Sequence, residues 1–340
     1  MTSTPFDVCS AYEHILEDEN ISTPLASILA LVELMENSAA GTMFELVKEL
    51  KDGAEALKRQ SSNSISLSAG TELFIEFVTL FPHDASSFLE LKSELIRQGH
   101  NYVTEALSYR QKIADLAFDF IKDGSIILTH SYSRVVMQTL LWAHKRKRIS
   151  VFVTEARPRG LGIKTAEKLT AAGIPSTVIL DSAVAYTMNM VDLVLVGSEA
   201  VVESGGLVNA VGSNQIAIIA KAMNKPFYAL AESYKFHRLF PLSQYDLPTH
   251  NSQLLSFSLP QGRTHRNSTA SRARPGSNPP VAGIRPSDPA EDRKITQEQI
   301  ARNNPDVDYT RPDLISLVFS DVGSLTPEGV SQYLVGMFAG

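Results

Sequence analysis

Six short, almost uninterrupted apolar runs alternate with helix-length segments through the second part of this 340-residue chain, and no other feature restricts the fold as much. They are SIILTH (125–130), ISVFVTEA (149–156), STVILD (176–181), VDLVLVG (191–197), FYALAES (227–233) and DLISLVFSD (313–321). A strand with one wet face alternates polar and apolar residues. A run that is apolar throughout suits a strand covered on both faces, as in a parallel sheet whose crossover helices lie above and below it. The intervening segments have the length a right-handed crossover needs. In one, starting near Asn214, Ile216, Ile219, Ala220 and Met223 share a helical face. The expected fold is α/β, with a doubly wound, mostly parallel, Rossmann-like sheet over residues 122–340.

Before Asp123-Gly124 the apolar residues keep a helical period, and residues 1–121 are expected to form an all-helical N-terminal domain. Ser22 and Thr23 precede Pro24 in the pattern of a cap followed by proline in the first turn, and Thr42 with Glu45 has the spacing of a capping box. Tyr109, Ile113, Leu116 and Phe120 are predicted to make one stripe facing other helices or the sheet domain. Residues 249–305 break the strand and helix grammar. Much of that segment is rich in Pro, Ser, Gly and Arg, so it cannot bury enough apolar surface to offset its ordering entropy and is expected to be a disordered insertion. Its arginines (263, 266, 272, 274 and 285) suit either a solvated variable loop or a tether for an acidic partner or nucleic acid, the solvated loop being the commoner case.

Two domains follow from the length. A net charge of −6 argues against nucleic acid as a direct partner. With 20% charged residues the chain is slightly poor in charge for a free monomer, which suits a surface partly covered by partners. Cys9 is alone, so neither an internal disulfide nor a cysteine-based metal site is expected. The N-terminal stretch has no signal-peptide pattern and no apolar run is long enough to span a bilayer, giving the expectation of a soluble cytosolic (cytoplasmic) protein without membrane contact.

In a doubly wound sheet, ligands bind beyond the carboxyl ends of the strands. Those ends carry Thr129 to Arg134, Glu155 to Gly160, Asp181-Ser182, Gly197-Ser198-Glu199, Glu232 to Lys235 and Asp321. Asp181, Ser182 and Asp321 read as strand-end groups satisfied by backbone amides. Arg134, Arg157 and Lys235 are expected to meet at one rim and to make an anion site for a phosphorylated small molecule. No nucleotide, nucleophile-elbow or metal motif accompanies them, and GLGIKT (160–165) lacks the spacing of a phosphate loop. His130 and His237 read as structural. Lys145 to Arg148 reads as the basic end of a crossover helix.

Taken together, ILTHSYSRVV (127–136), VFVTEARPRGLG (151–162), VILDSAVAYTM (178–188), DLVLVGSEAVVESGGLVNAVGSNQIA (192–217), KPFYALAESYKFHRLFPL (225–242) and VDYTRPDLISLVFSDVGSLTPEGVSQYL (307–334) resemble the alpha subunits of translation initiation factor 2B. RQKIADLAFDFIKDG (110–124) extends the resemblance more weakly into the helical part. That superfamily also holds the factor's beta and delta subunits and the methylthioribose-1-phosphate and ribose-1,5-bisphosphate isomerases. THSYSR and KFHRLFPL fit alpha better than beta or delta.

The resemblance implies a non-catalytic regulatory subunit of the guanine nucleotide exchange factor for initiation factor 2, with no cofactor. It implies a homodimer through the α/β domain, partnership with the beta, gamma, delta and epsilon subunits, and a helical face that senses the phosphorylated alpha subunit of factor 2. The isomerases' acid/base cysteine and aspartate are replaced here by Ser131 and Glu199, and the lysine following their conserved asparagine by Ala210 after Asn209. A serine hydroxyl is a far weaker acid than a thiol, and one added methylene misplaces the carboxylate, so catalysis is expected to be lost. What the resemblance leaves is a rim of Thr129, Ser131, Tyr132, Ser133, Arg134, Arg157, Glu199, Asn209 and Lys235 for a sugar-phosphate or nucleotide effector. The alternative is a working aldose-ketose isomerase.

Overall fold

The computed structural model describes residues 6–61, 64–82, 87–251, 254–256 and 296–338. Met1–His250 and Asp306–Gly340 belong to one compact unit and Asn251–Pro305 to a second. In the second unit, helix α11 (Gln297–Asn303) opens on a capping box between Thr296 and Gln299. The arginine-rich stretch predicted to be disordered lies outside the described residues.

The first unit begins with helices α1 (Val8–Leu16), α2 (Thr23–Asn37), α3 (Met43–Gln60), α4 (Ser64–Leu80), α5 (Phe88–Ala106) and α6 (Tyr109–Phe118). The capping box predicted at Thr42 is formed: the Glu45 amide donates to Thr42 Oγ1 at 3.3 Å and the Thr42 amide to Glu45 Oε2 at 3.1 Å. Ser22 occupies the N-cap of α2, but its side chain caps nothing. Its hydroxyl instead donates to the Tyr234 hydroxyl at 3.2 Å in a buried contact. The predicted stripe on α6 is only half right. Tyr109 and Ile113 are buried, whereas Leu116 is 37% and Phe120 40% exposed. The buried face runs on through Ala117 and Ile121, four residues apart, and Phe120 lies past the helix end, packed edge-on against Phe319 at 4.8 Å.

From Ser125 the chain alternates as expected. The order is β1 (Ser125–His130), α7 (Arg134–His144), β2 (Ile149–Thr154), α8 (Gly162–Ala171), β3 (Ser176–Ile179), α9 (Val184–Thr187), β4 (Leu193–Val196), β5 (Ala200–Val202), β6 (Leu207–Ala210), α10 (Ser213–Ala222), β7 (Phe227–Leu230) and β8 (Phe236–His237). After the second unit come β9 (Val307–Thr310), β10 (Leu317–Ser320), β11 (Gly323–Leu325) and α12 (Pro327–Phe338). The main sheet has the order β11-β10-β7-β4-β1-β2-β3, parallel except for β11. Its faces are covered as the apolar runs require. Val136, Leu140 and Leu169 fill one side, and Val184, Ile216, Ala220, Val330 and Leu334 the other. A second sheet, β8-β5-β6-β9, was not foreseen. Its strands are two to four residues long, too short for their period to register in the sequence.

Candidate functional site

The strand order fixes where a ligand can enter. From β1 the chain moves outward to β2 and β3, then returns to place β4 on the other side of β1, so the loops after β1 and β4 diverge and leave a crevice. Ser133 after β1 caps α7, its Oγ accepting from the Val136 amide at 3.5 Å. Gly197 after β4 lies so close that a Cβ there would come within 2.4 Å of Ser133 Oγ (2.3 Å) and Cβ (2.4 Å), which only glycine permits.

At that crevice is a cavity of about 540 Å³, a size that suits a small metabolite. Of the residues named from the sequence, Tyr132, Ser133, Arg134, Glu199, Asn209 and Lys235 line it. Thr129, Ser131 and Arg157 do not. Thr129 and Ser131 are buried in the strand and its turn, with Ser131 in a left-handed conformation (φ 61°) and its carbonyl accepting from Thr165 Oγ1 at 2.7 Å. The Arg157 amide is tied to Asp181 Oδ2 at 2.8 Å and its side chain lies outside the lining. The cavity takes its other cations from Arg110, Arg159 and Lys164. Arg159 lies within the strand-end segment Glu155 to Gly160 after β2. Lys164 belongs to GLGIKT, and Arg110 carries no strand-end signal because it comes from helix α6. Tyr12, Glu13, Gln60 and Ser66 close the wall from the helical part, which strand-end reasoning does not reach.

The electrostatics are dominated by one buried carboxylate. Glu232 is 1% exposed, with Arg110 Nε at 3.2 Å from Oε1 and Lys235 Nζ at 2.9 Å from Oε2, the latter an ion-pair contact without good hydrogen-bond alignment. Burial alone would push its pKa up, but Lys235 and Arg110 more than offset that and hold it at about 2. Asn209 Nδ2 donates to Ser213 Oγ at 2.9 Å. Ser198 Oγ is buried on the wall with no partner among the described residues, a hydrogen-bonding group available to a ligand hydroxyl.

Nearby titratable groups are structural. His130 Nε2 donates to the Val211 carbonyl at 2.9 Å, leaving Nδ1 to accept from Thr154 Oγ1 at 2.6 Å, and burial lowers its pKa. Asp308 on β9 accepts the Gly212 and Asn214 amides at 2.7 and 3.0 Å at the start of α10. Burial raises its pKa to about 7 against the pull of those two donors. Asp181 and Asp321 accept backbone amides at strand ends, as expected. No group of His, Cys, Asp and Glu suited to a metal ion occurs among the described residues, and none of the described helices is long and apolar enough to cross a membrane.

Fold and cavity define a doubly wound α/β protein with a cation-lined crevice at its topological switch point, walled in part by helical residues. The profile of the Initiation factor 2 subunit family matches residues 17–327, and the chain belongs to that family. It is 38% identical to the translation initiation factor eIF2B subunit alpha of Dictyostelium discoideum over 335 residues, covering 97% of this chain and 96% of that one. It is 31% identical to the ribose 1,5-bisphosphate isomerase of Archaeoglobus fulgidus over 231 residues, 68% of this chain and 72% of that one. Among solved structures, a chain of the tetrameric eIF2B-beta2-delta2 complex from C. thermophilum matches with a TM-score of 0.70 at 18% identity, covering 97% of this chain and 94% of that one, a likeness of fold.

Proposed function

We propose that this chain is a regulatory alpha-type subunit of the guanine nucleotide exchange factor for translation initiation factor 2, and that its cavity binds a phosphorylated small molecule without converting it. The observation that carries the subunit role is the near full-length similarity to an eIF2B subunit alpha, against a shorter match to the isomerase. In this reading residues 122–340 carry self-association, and residues 1–121 offer the helical face to the phosphorylated alpha subunit of factor 2. The beta, gamma, delta and epsilon subunits are its partners, in the cytosol. Loss of catalysis is supported by the serine at 131, which lies outside the cavity wall and is a weak acid, and by Glu199, which projects one methylene further than an aspartate.

Arg110, Arg134, Arg159, Lys164 and Lys235 give the cavity its preference for an anion, and Ser198 and Asn209 offer groups for hydroxyls. Thermal shift of the purified chain with a panel of sugar monophosphates and nucleotides tests the binding. A ligand at a hundredfold excess over its Kd stabilises by about 2.7 kcal/mol, and the shift should vanish in Arg134→Ala. A panel without any such shift refutes the effector. Co-purification from cells tests the role, and absence of the other exchange-factor subunits refutes it. The isomerase relationship supports a second reading, a working aldose-ketose isomerase, which measured turnover of ribose 1,5-bisphosphate would establish in place of the first.

A further inference from the structure

Every cation on the cavity wall already holds an internal acceptor, so an anionic ligand must take cations away from something. Arg110 and Lys235 hold Glu232, and Arg159 Nη2 is 3.3 Å from Asp306. Arg110 also reaches the strap, residues 17–22, that joins α1 to α2, its Nη2 donating to the Asn20 carbonyl at 2.7 Å, and the remaining two cations hold the same strap at Glu19. Arg134 Nε donates to the Glu19 carbonyl at 2.5 Å, and Lys164 Nζ is 3.2 Å from Glu19 Oε1. Outside the cavity wall, Lys168 Nζ takes Glu19 Oε2 at 3.3 Å. The two lysines stand over the Tyr132 ring, 4.8 and 5.2 Å from its centroid, which keeps them together beneath the Glu19 carboxylate.

These acceptors differ greatly in what they cost to displace. Glu232 is completely buried, and removing its partners would strand a charge in the interior. Glu19 is 68% exposed, and its ion pairs lie in water where such pairs are weak. An incoming phosphate therefore takes Arg134 and Lys164 from Glu19 before it disturbs the buried cluster. We infer that Glu19 is an internal anion that competes with the ligand, so that binding a phosphorylated molecule releases the strap and the adjoining helix α1, which supplies Tyr12, Glu13 and Leu16 to the cavity wall. The coupling is reciprocal: whatever lifts the strap tightens the site. This inference rests on the anion-binding reading proposed above.

Calorimetric titration of the full chain with a hexose 6-phosphate and with inorganic phosphate, paired with hydrogen exchange across residues 17–22, tests it. Glu19→Gln should bind either anion roughly threefold to tenfold more tightly than wild type, as expected for losing two exposed pairs. Lys168→Ala is the sharper variant. It removes a cation near an anion site, so simple attraction predicts weaker binding, whereas competition predicts binding at least as tight as wild type. The ligand should also speed exchange in the strap of the wild-type protein. Weaker binding by Lys168→Ala, unchanged binding by Glu19→Gln, or a strap protected by the ligand each overturns the competition while leaving the cavity reading intact. If wild type and both variants bind neither anion, the cavity reading fails and the competition with it.

Discussion

Glu232 is a buried carboxylate on the cavity wall, neutralised by Arg110 and Lys235, and it ties stability to pH. Its folded pKa, about 2, lies below the ordinary glutamate value of 4.5, so the folded state binds the proton less readily than the unfolded chain. The ion pairs therefore add stability above about pH 4.5, and that stability drains away as the pH falls from there towards 2. Urea denaturation across that range should give a steeper loss for the wild type than for Glu232→Gln. At neutral pH the substitution should cost about 3–5 kcal/mol, because Arg110 and Lys235 are left without their buried counter-charge. A loss below about 1 kcal/mol would mean that water already reaches the cluster.

At the scale of elements, the start of α8 explains a motif that resembled a phosphate loop. In GLGIKT the glycine at 162 backs directly onto the end of β2, its amide donating to the Glu155 carbonyl at 3.2 Å. A Cβ at this position would stand 1.8 Å from the Thr154 carbonyl oxygen, so the helix approaches the strand as only glycine allows. Gly162→Ala must push α8 away, carrying Lys164 and Lys168 with it. The expected cost is about 1–3 kcal/mol in chemical denaturation together with weakened anion binding. An alanine variant of wild-type stability would show that α8 can shift freely against the sheet.

Across the whole first unit, the helices and the sheet are joined through an aromatic anchor. Tyr234, which follows β7, is fully buried within the core of the helical part, stacked on Tyr109 with ring centroids 6.4 Å apart and hydrogen-bonded to Ser22. The cavity needs both parts, since its wall combines strand-end residues with Tyr12, Glu13, Gln60 and Ser66. Tyr234→Ala should cost about 3–5 kcal/mol, as large aromatic truncations in cores do. It should also remove any ligand-induced thermal shift even where the variant remains folded. A variant that keeps full ligand response would separate the cavity from this anchor.

The sequence by itself determined the doubly wound sheet, because strands buried on both faces must be apolar along their whole length, and it determined the helical character of the part that precedes it through the apolar period and caps such as Thr42 with Glu45. It also led to the strand ends, and so to Tyr132, Ser133, Arg134, Glu199 and Lys235 on the cavity wall, while Asn209 entered through the family resemblance. Only the tertiary structure decided that Arg110 and Lys164 join that wall while Arg157 stays out, that Ser22 reaches Tyr234 instead of capping α2, and that four strands of two to four residues form a second sheet. The division has a physical cause. Periodicity and capping are encoded within a few neighbouring residues, whereas a cavity is assembled from side chains far apart in the chain, and which of them meet depends on how whole elements pack.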